Sequence, residues 1–125
     1  MARVLVVDDD PALLRLVSMM LRLEGVSVET ADGGALGLEL IQRDSPDLVI
    51  LDINMPEMDG RQVFQAARAS GYTAPILVCS AFEALRISRE LGADAALDKP
   101  FEPDHLVEIV RELIDGGSNG YASTA

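Results

Sequence analysis

Two short runs in this 125-residue chain are apolar at every position and stop at an acid: Val4-Leu5-Val6-Val7 before Asp8-Asp9-Asp10, and Leu48-Val49-Ile50-Leu51 before Asp52. Runs this short suit strands buried on both faces of a parallel sheet, because a helix needs roughly twice the length. Ile76-Leu77-Val78-Cys79 reads as a strand of the same kind, and Ala95-Ala96-Leu97-Asp98 as a shorter one. Val26-Ser27-Val28-Glu29-Thr30-Ala31 alternates instead, which marks a strand with one wet face at a sheet edge.

The segments between these runs carry helical spacing. Asp10 caps a first helix with Pro11 at its opening position, where a missing N–H costs nothing, and Gly25 closes it after about Glu24. Leu13, Leu14, Leu16, Val17, Met20, Leu21 and Leu23 give it a broad apolar face. The second helix is expected over about Gly34 to Arg43, with Leu36, Leu40 and Ile41 inward and with Gly34 and Gly37 each costing up to ~1 kcal/mol relative to Ala. A third covers about Gly60 to Ser70. A fourth, with Ala84, Ile87 and Leu91 inward, ends at Gly92. The last opens at Pro103 and presents Leu106, Ile109, Val110, Leu113 and Ile114.

Strand and helix thus alternate five times, the signature of an α/β domain with a parallel sheet, helices on both faces and right-handed crossovers. The expected division is one folded domain over 1–115 and a flexible tail or linker stub over 116–125, where Gly, Ser and Asn dominate. The 21 acids and 10 bases leave a net charge of −11, which argues against direct nucleic-acid contact by this domain alone. There is no signal-peptide pattern and no apolar run near the roughly 18 residues of a membrane span, so a cytoplasmic protein without membrane contact is expected. Cys79, the single cysteine, then reads as a reduced thiol of the core.

In a doubly wound sheet ligands bind at the carboxyl ends of the strands, where strand order reverses. The ends of strands one and three can meet there, bringing Asp8, Asp9 and Asp52 together. Three carboxylates call for a hard divalent cation, and Mg²⁺ fits a site with few protein oxygens and retained waters. Helix capping is the competing reading for Asp8 to Asp10 and the preferred one for Asp10. Strand four ends in Ser80, a hydroxyl able to donate into the same cleft or to cap a helix. Strand five ends in Lys99-Pro100. With nine Arg and one Lys in the chain, a lone ammonium at a strand end points to a point-charge contact with a carboxylate or phosphoryl oxygen, and a cis peptide before Pro100 would aim it across the strand ends. His105, the only histidine, reads as a solvated surface residue.

Taken in order, Val6-Val7-Asp8-Asp9, Asp52-Ile53-Asn54-Met55-Pro56-Glu57-Met58-Asp59-Gly60, Ser80-Ala81, Gly92-Ala93-Asp94 and Lys99-Pro100-Phe101 resemble the receiver domain of bacterial two-component response regulators, over about residues 3 to 115. The resemblance implies a flavodoxin-like fold with strand order 2-1-3-4-5. Asp52 would be the phosphoacceptor, served by the phosphohistidine of a sensor kinase or phosphotransfer protein. Mg²⁺ would sit on Asp9, Asp52 and the backbone carbonyl of Asn54, with Asp8 acting through water, while Ser80 and Lys99 bind phosphoryl oxygens. The implied role is a switch for a downstream effector protein or domain, not a turnover enzyme, with a homodimer through helix four, strand five and the last helix as a further expectation.

The chain departs from the family pattern at Ala96, three positions before the lysine, where a Tyr or Phe ring is usual. Phe82, two residues past Ser80, is bulky and apolar at a position that tunes dephosphorylation in the family, or is simply exposed. Two rival readings stand beside the switch. A Mg²⁺-dependent phosphatase using Asp52 as nucleophile would want a second acid at position 54, where this chain has Asn, and a cap domain. A receiver-like interaction module would work without phosphorylation, and would not need Asp8, Asp9, Asp52, Ser80 and Lys99 intact.

Overall fold

The computed structural model describes residues 2–116. Five parallel strands, β1 (Arg3–Val7), β2 (Ser27–Ala31), β3 (Leu48–Asp52), β4 (Ile76–Ser80) and β5 (Ala95–Asp98), pair in the order β2-β1-β3-β4-β5. Between and after them lie α1 (Pro11–Leu23), α2 (Gly34–Asp44), α3 (Gly60–Ala69), α4 (Ala84–Leu91) and α5 (Pro103–Gly116). This is the α/β, flavodoxin-like arrangement expected, with the alternating strand β2 at the edge. Helix α5 keeps Gly116, one residue into the segment expected to be tail; residues 117–125 lie outside the described residues.

Pleating explains the all-apolar runs. Leu5, Val7, Val49, Leu51, Ile76 and Val78 point to one face, where α2, α3 and α4 supply Leu40, Ile41, Val63, Phe64, Ala67 and Ile87. Val4, Val6, Leu48, Ile50, Leu77, Cys79 and Leu97 point to the other, against Leu14, Val17 and Leu21 of α1 and Leu106, Ile109, Val110 and Leu113 of α5. Cys79 is buried as expected, and burial pushes its thiol up to about 12, which makes it inert.

Two helix faces are narrower than their sequences imply. In α1 the buried stripe is Leu14, Val17, Ser18 and Leu21, whereas Leu16, Met19 and Leu23 are exposed. A single helix on one side of a sheet buries about a third of its circumference, and Leu16 and Leu23 fall beyond it. In α2, Leu36 is likewise exposed and the inward positions are Gly34, Gly37, Leu40 and Ile41. The two glycines are there for closeness: a Cβ on Gly37 would lie 2.8 Å from a methyl of Val7, and one on Gly34 would collide with the carbonyl oxygen of Met58.

Gly60 fixes the exit from β3. Its N–H donates to the Ile53 carbonyl at 2.9 Å, and a Cβ there would strike the Asp52 carbonyl oxygen and come within 2.7 Å of Ile53 Cα. Helix α3 starts behind it through a reciprocal cap, in which Gln62 N–H donates to Asp59 and Asp59 N–H donates to the Gln62 side chain. Gly60→Ala therefore forces backbone apart, not a flexible side chain, and is expected to cost about 1–3 kcal/mol in urea unfolding with an unchanged m-value.

Candidate functional site

Sheet order turns around between β1 and β3, and both strands end there in acids. Asp8 and Asp52 are buried and Asp9 is exposed, and one carboxylate oxygen from each lies within 4.8 Å of the others. The sheet register forces this. Val7 pairs with Leu51, so the next residues, Asp8 and Asp52, leave neighbouring strands at one level. Asp8 is held from two sides, its Oδ1 accepting the Asp10 N–H at 2.9 Å and its Oδ2 accepting from Lys99 Nζ at 2.7 Å. Asp10 faces away and caps α1 by accepting from the N–H groups of Ala12 and Leu13, as expected.

Lys99 reaches this cluster from the far side of β4. Its N–H donates to the Ser80 carbonyl at 2.8 Å, the peptide to Pro100 is cis, and its ammonium bridges Asp8 and Asp52, donating to Asp52 Oδ1 at 3.1 Å. One positive charge thus faces two buried carboxylates with a third alongside. Burial raises the Asp52 pKa from the ordinary 3.8, the charge of Asp8 raises it further, and Lys99 only partly counteracts them. For Lys99 burial works against the charged form, but its hydrogen bonds to Asp8 and Asp52 and their charges prevail and hold the ammonium above its usual 10.5.

Ser80 ends β4 beside the cleft, but its hydroxyl is turned into its own loop. It donates to the Phe82 carbonyl at 2.9 Å and accepts from the Phe82 N–H at 3.3 Å. Asn54 is exposed on the loop that follows β3. Phe82 is 77% exposed, its ring turned outward beside the cleft loop that carries Ser80. His105 is half-buried, and with Ala84, Leu85, Ala96 and Phe101 it lines a hollow of about 260 Å³. It lies at the surface, as expected, but is only partly open to solvent.

Two acids gain structural roles that the sequence did not disclose. Helix α4 begins at Glu83 in the left-handed region (φ 53°) without a side-chain cap of its own, and Asp98 supplies one across the sheet by accepting the Ala84 N–H at 2.9 Å. Asp94 accepts from Ile76 N–H and Arg68 and so anchors the start of β4. Capping from a different element leaves no local spacing to read. Only the acid at a strand end hints at it.

The response regulator receiver domain family model matches residues 4–111, and the chain belongs to that family. Response regulator MprA of Mycobacterium leprae is 39% identical over 115 residues, covering 90% of this chain and 50% of that protein. Transcriptional regulatory protein GlrR of Escherichia coli K12 is 36% identical over 117 residues, covering 91% of this chain and 26% of the relative. The chain therefore spans half or less of the length of these relatives. Among solved structures, a CheY-like receiver domain protein from Methanospirillum hungatei superposes with a TM-score of 0.87 at 31% identity, covering 94% of this chain and 96% of the other. Chemotaxis protein CheY4 of Vibrio cholerae gives 0.82 at 33% identity, over 90% and 98%.

The electrostatics set a pH dependence. A carboxyl whose pKa is raised on folding binds more protons folded than unfolded, so its contribution to stability declines as pH rises from 3.8 towards the folded value. Asp52→Asn keeps an acceptor for Lys99 and removes the charge. In Mg²⁺-free thermal melts it should raise the melting temperature at pH 7, and the gain should shrink as pH falls towards 4. An equal gain at both pH values would show that the charge is not its source.

Proposed function

We propose that this chain is a phosphorylation-dependent signalling switch in which Asp52 accepts a phosphoryl group from the phosphohistidine of a sensor kinase or phosphotransfer protein. The observation that carries this reading is the Lys99 ammonium lying 2.7 Å from Asp8 and 3.1 Å from Asp52 at the point where strand order reverses. Family membership supports it.

The donor set fits a hard cation. Asp8, Asp9 and Asp52 offer carboxylate oxygens within 4.8 Å of one another, and burial, followed by the charge of Asp8, raises the Asp52 pKa despite Lys99, so further positive charge there would favour the ionised form. In this proposal Asp9, Asp52 and the Asn54 backbone carbonyl hold Mg²⁺, with Asp8 assisting through water. When bound, the ion would supply positive charge to offset that of the transferring phosphoryl group. An ionised Asp52 oxygen attacks phosphorus, the phosphorus–nitrogen bond breaks, and the electron pair leaves with the donor imidazole. Lys99 Nζ exchanges its Asp52 contact for a phosphoryl oxygen, and Ser80 can donate to another once its hydroxyl leaves the Phe82 carbonyl. Such chemistry needs placement and charge neutralisation more than covalent help.

The response passes to partners through surfaces flanking the cleft. Phe82, exposed, and Leu85, half-buried, stand at the start of α4 beside it. The face of α4, β5 and α5 is the proposed site for an effector or a second copy. The acidic surface argues against nucleic-acid contact by these residues. That applies to this domain alone, since GlrR is named a transcriptional regulatory protein and the chain matches only 26% of it. No helix among the described residues is long and apolar enough to cross a membrane.

With acetyl phosphate and Mg²⁺, intact-mass measurement should show one added phosphoryl group on the native chain. None should appear on Asp52→Asn, and none on the native chain or Asp9→Ala in EDTA. Labelling of Asp52→Asn would move the acceptor elsewhere, and undiminished labelling in EDTA would remove the metal from the reading.

A further inference from the structure

Along the edge of the buried stripe of α1, where the helix meets the edge strand, lies an opening of about 250 Å³ lined by Leu14, Arg15, Ser18, Met19, Arg22 and Thr30. Arg15, Ser18 and Arg22 follow the i, i+3, i+7 spacing of one helix face, and Thr30 approaches from β2. Ser18 is 5% exposed, and its Oγ is the one buried side-chain polar atom among the described residues without a hydrogen-bond partner. A serine inside a helix ordinarily bonds back to the preceding turn or faces water, and leaving a buried hydroxyl unpaired is unfavourable.

Charge adds an independent observation. In a chain of net charge −11, most arginines pair with acids: Arg43, Arg61, Arg68, Arg86 and Arg111 each meet a carboxylate. Arg15 and Arg22 form no ion pair among the described residues. Arg22 donates one N–H to the Val28 carbonyl at 3.1 Å, which steers its guanidinium towards β2 and leaves its other donors unused. The neighbouring Glu29 on β2 is taken up by Arg43 on the other side of the strand.

From this convergence we infer that α1 and β2 form a second binding site, separate from the Asp52 cleft, for a small tetrahedral oxyanion such as phosphate or sulfate. Two guanidinium forks and two hydroxyls offer more donors than the two oxygens of a carboxylate can use, whereas phosphate has an oxygen for each side. The opening holds several waters' worth of volume but falls below the usual size of pockets for drug-like ligands, which favours an ion. Bound there, the oxyanion would tie the edge strand to α1, the helix that Asp10 caps at the mouth of the acidic cluster.

The test is a titration with sodium phosphate in Mg²⁺-free buffer at pH 7, against sodium chloride and sodium acetate at matched ionic strength, read by backbone amide shifts and by thermal melting. Phosphate should give saturable shifts at residues 15–22 and 28–30 and raise the melting temperature by mass action. Acetate should do so more weakly and chloride not at all. Shifts at residues 52–54 and 99 report separately on the acidic cleft, so occupancy there is not mistaken for this site.

Ser18→Ala should be at least as stable as the native chain without phosphate, having lost an unpaired hydroxyl, and yet bind phosphate roughly tenfold more weakly. The double variant Arg15→Gln, Arg22→Gln should lose the saturable response. Either of these variants binding phosphate like the native chain would overturn the inference. So would a native response that does not saturate, or acetate matching phosphate.

Discussion

The Lys99 ammonium, set between the carboxylates of Asp8 and Asp52, is the interaction on which the rest of this structure turns. Parallel pairing of β1 with β3 requires two strands to end at one level, and both end in acids, so two buried carboxylates are forced together by the same register that builds the core. Each removed from water alone would be costly, and together they repel. Lys99 is only 22% exposed at its side chain and is delivered by the strand beyond β4, so the sheet must be complete to β5 before the charge is in place. A lysine at a strand end can extend its stem into water and add little to stability. The bridge between two buried acids assigns it a structural share as well.

Much of this was legible because the signals are one-dimensional. Apolar runs ending in Asp8 and Asp52 announce buried strands and place acids at their ends, and Lys99 stands out as one Lys beside nine Arg. Element ends came within one or two residues because Asp10, Pro11, Gly25, Gly92 and Pro103 punctuate the chain locally. What escaped depends on neighbours distant in sequence. The Asp98 cap on Ala84 joins two elements, the inward glycines of α2 answer to Val7 and Met58, and Leu16, Leu23 and Leu36 look buried until the width of the packed face is known. Ser18 was hidden by the opposite effect: among leucines, a small hydroxyl gives no periodic signal.

Ala96 bears on how a change at Asp52 travels. It is buried on β5 beneath the hollow bounded by Leu85, Phe101 and His105, and it has no ring to rotate. A ligand shifts an equilibrium only through contacts that differ between states. The contact free to move beside Asp52 is the Ser80 hydroxyl, which in this state is bonded to both backbone groups of Phe82. Freeing it loosens the loop that carries the exposed Phe82 ring and leads into α4 through the left-handed Glu83. In the proposed switch the shortest route would therefore run through that loop and the first turn of α4.

The central claim, that Lys99 is held to offset Asp8 and Asp52, is tested most directly by a double-mutant cycle at pH 7 without Mg²⁺. Lys99→Met keeps the apolar stem and removes the charge. The account predicts that it costs about 2–3 kcal/mol in urea unfolding of the native chain, somewhat less than breaking a fully buried pair. In an Asp8→Asn, Asp52→Asn background the same change should cost little. An equal loss in both backgrounds would mean that Lys99 acts through its packing, and would contradict the electrostatic account.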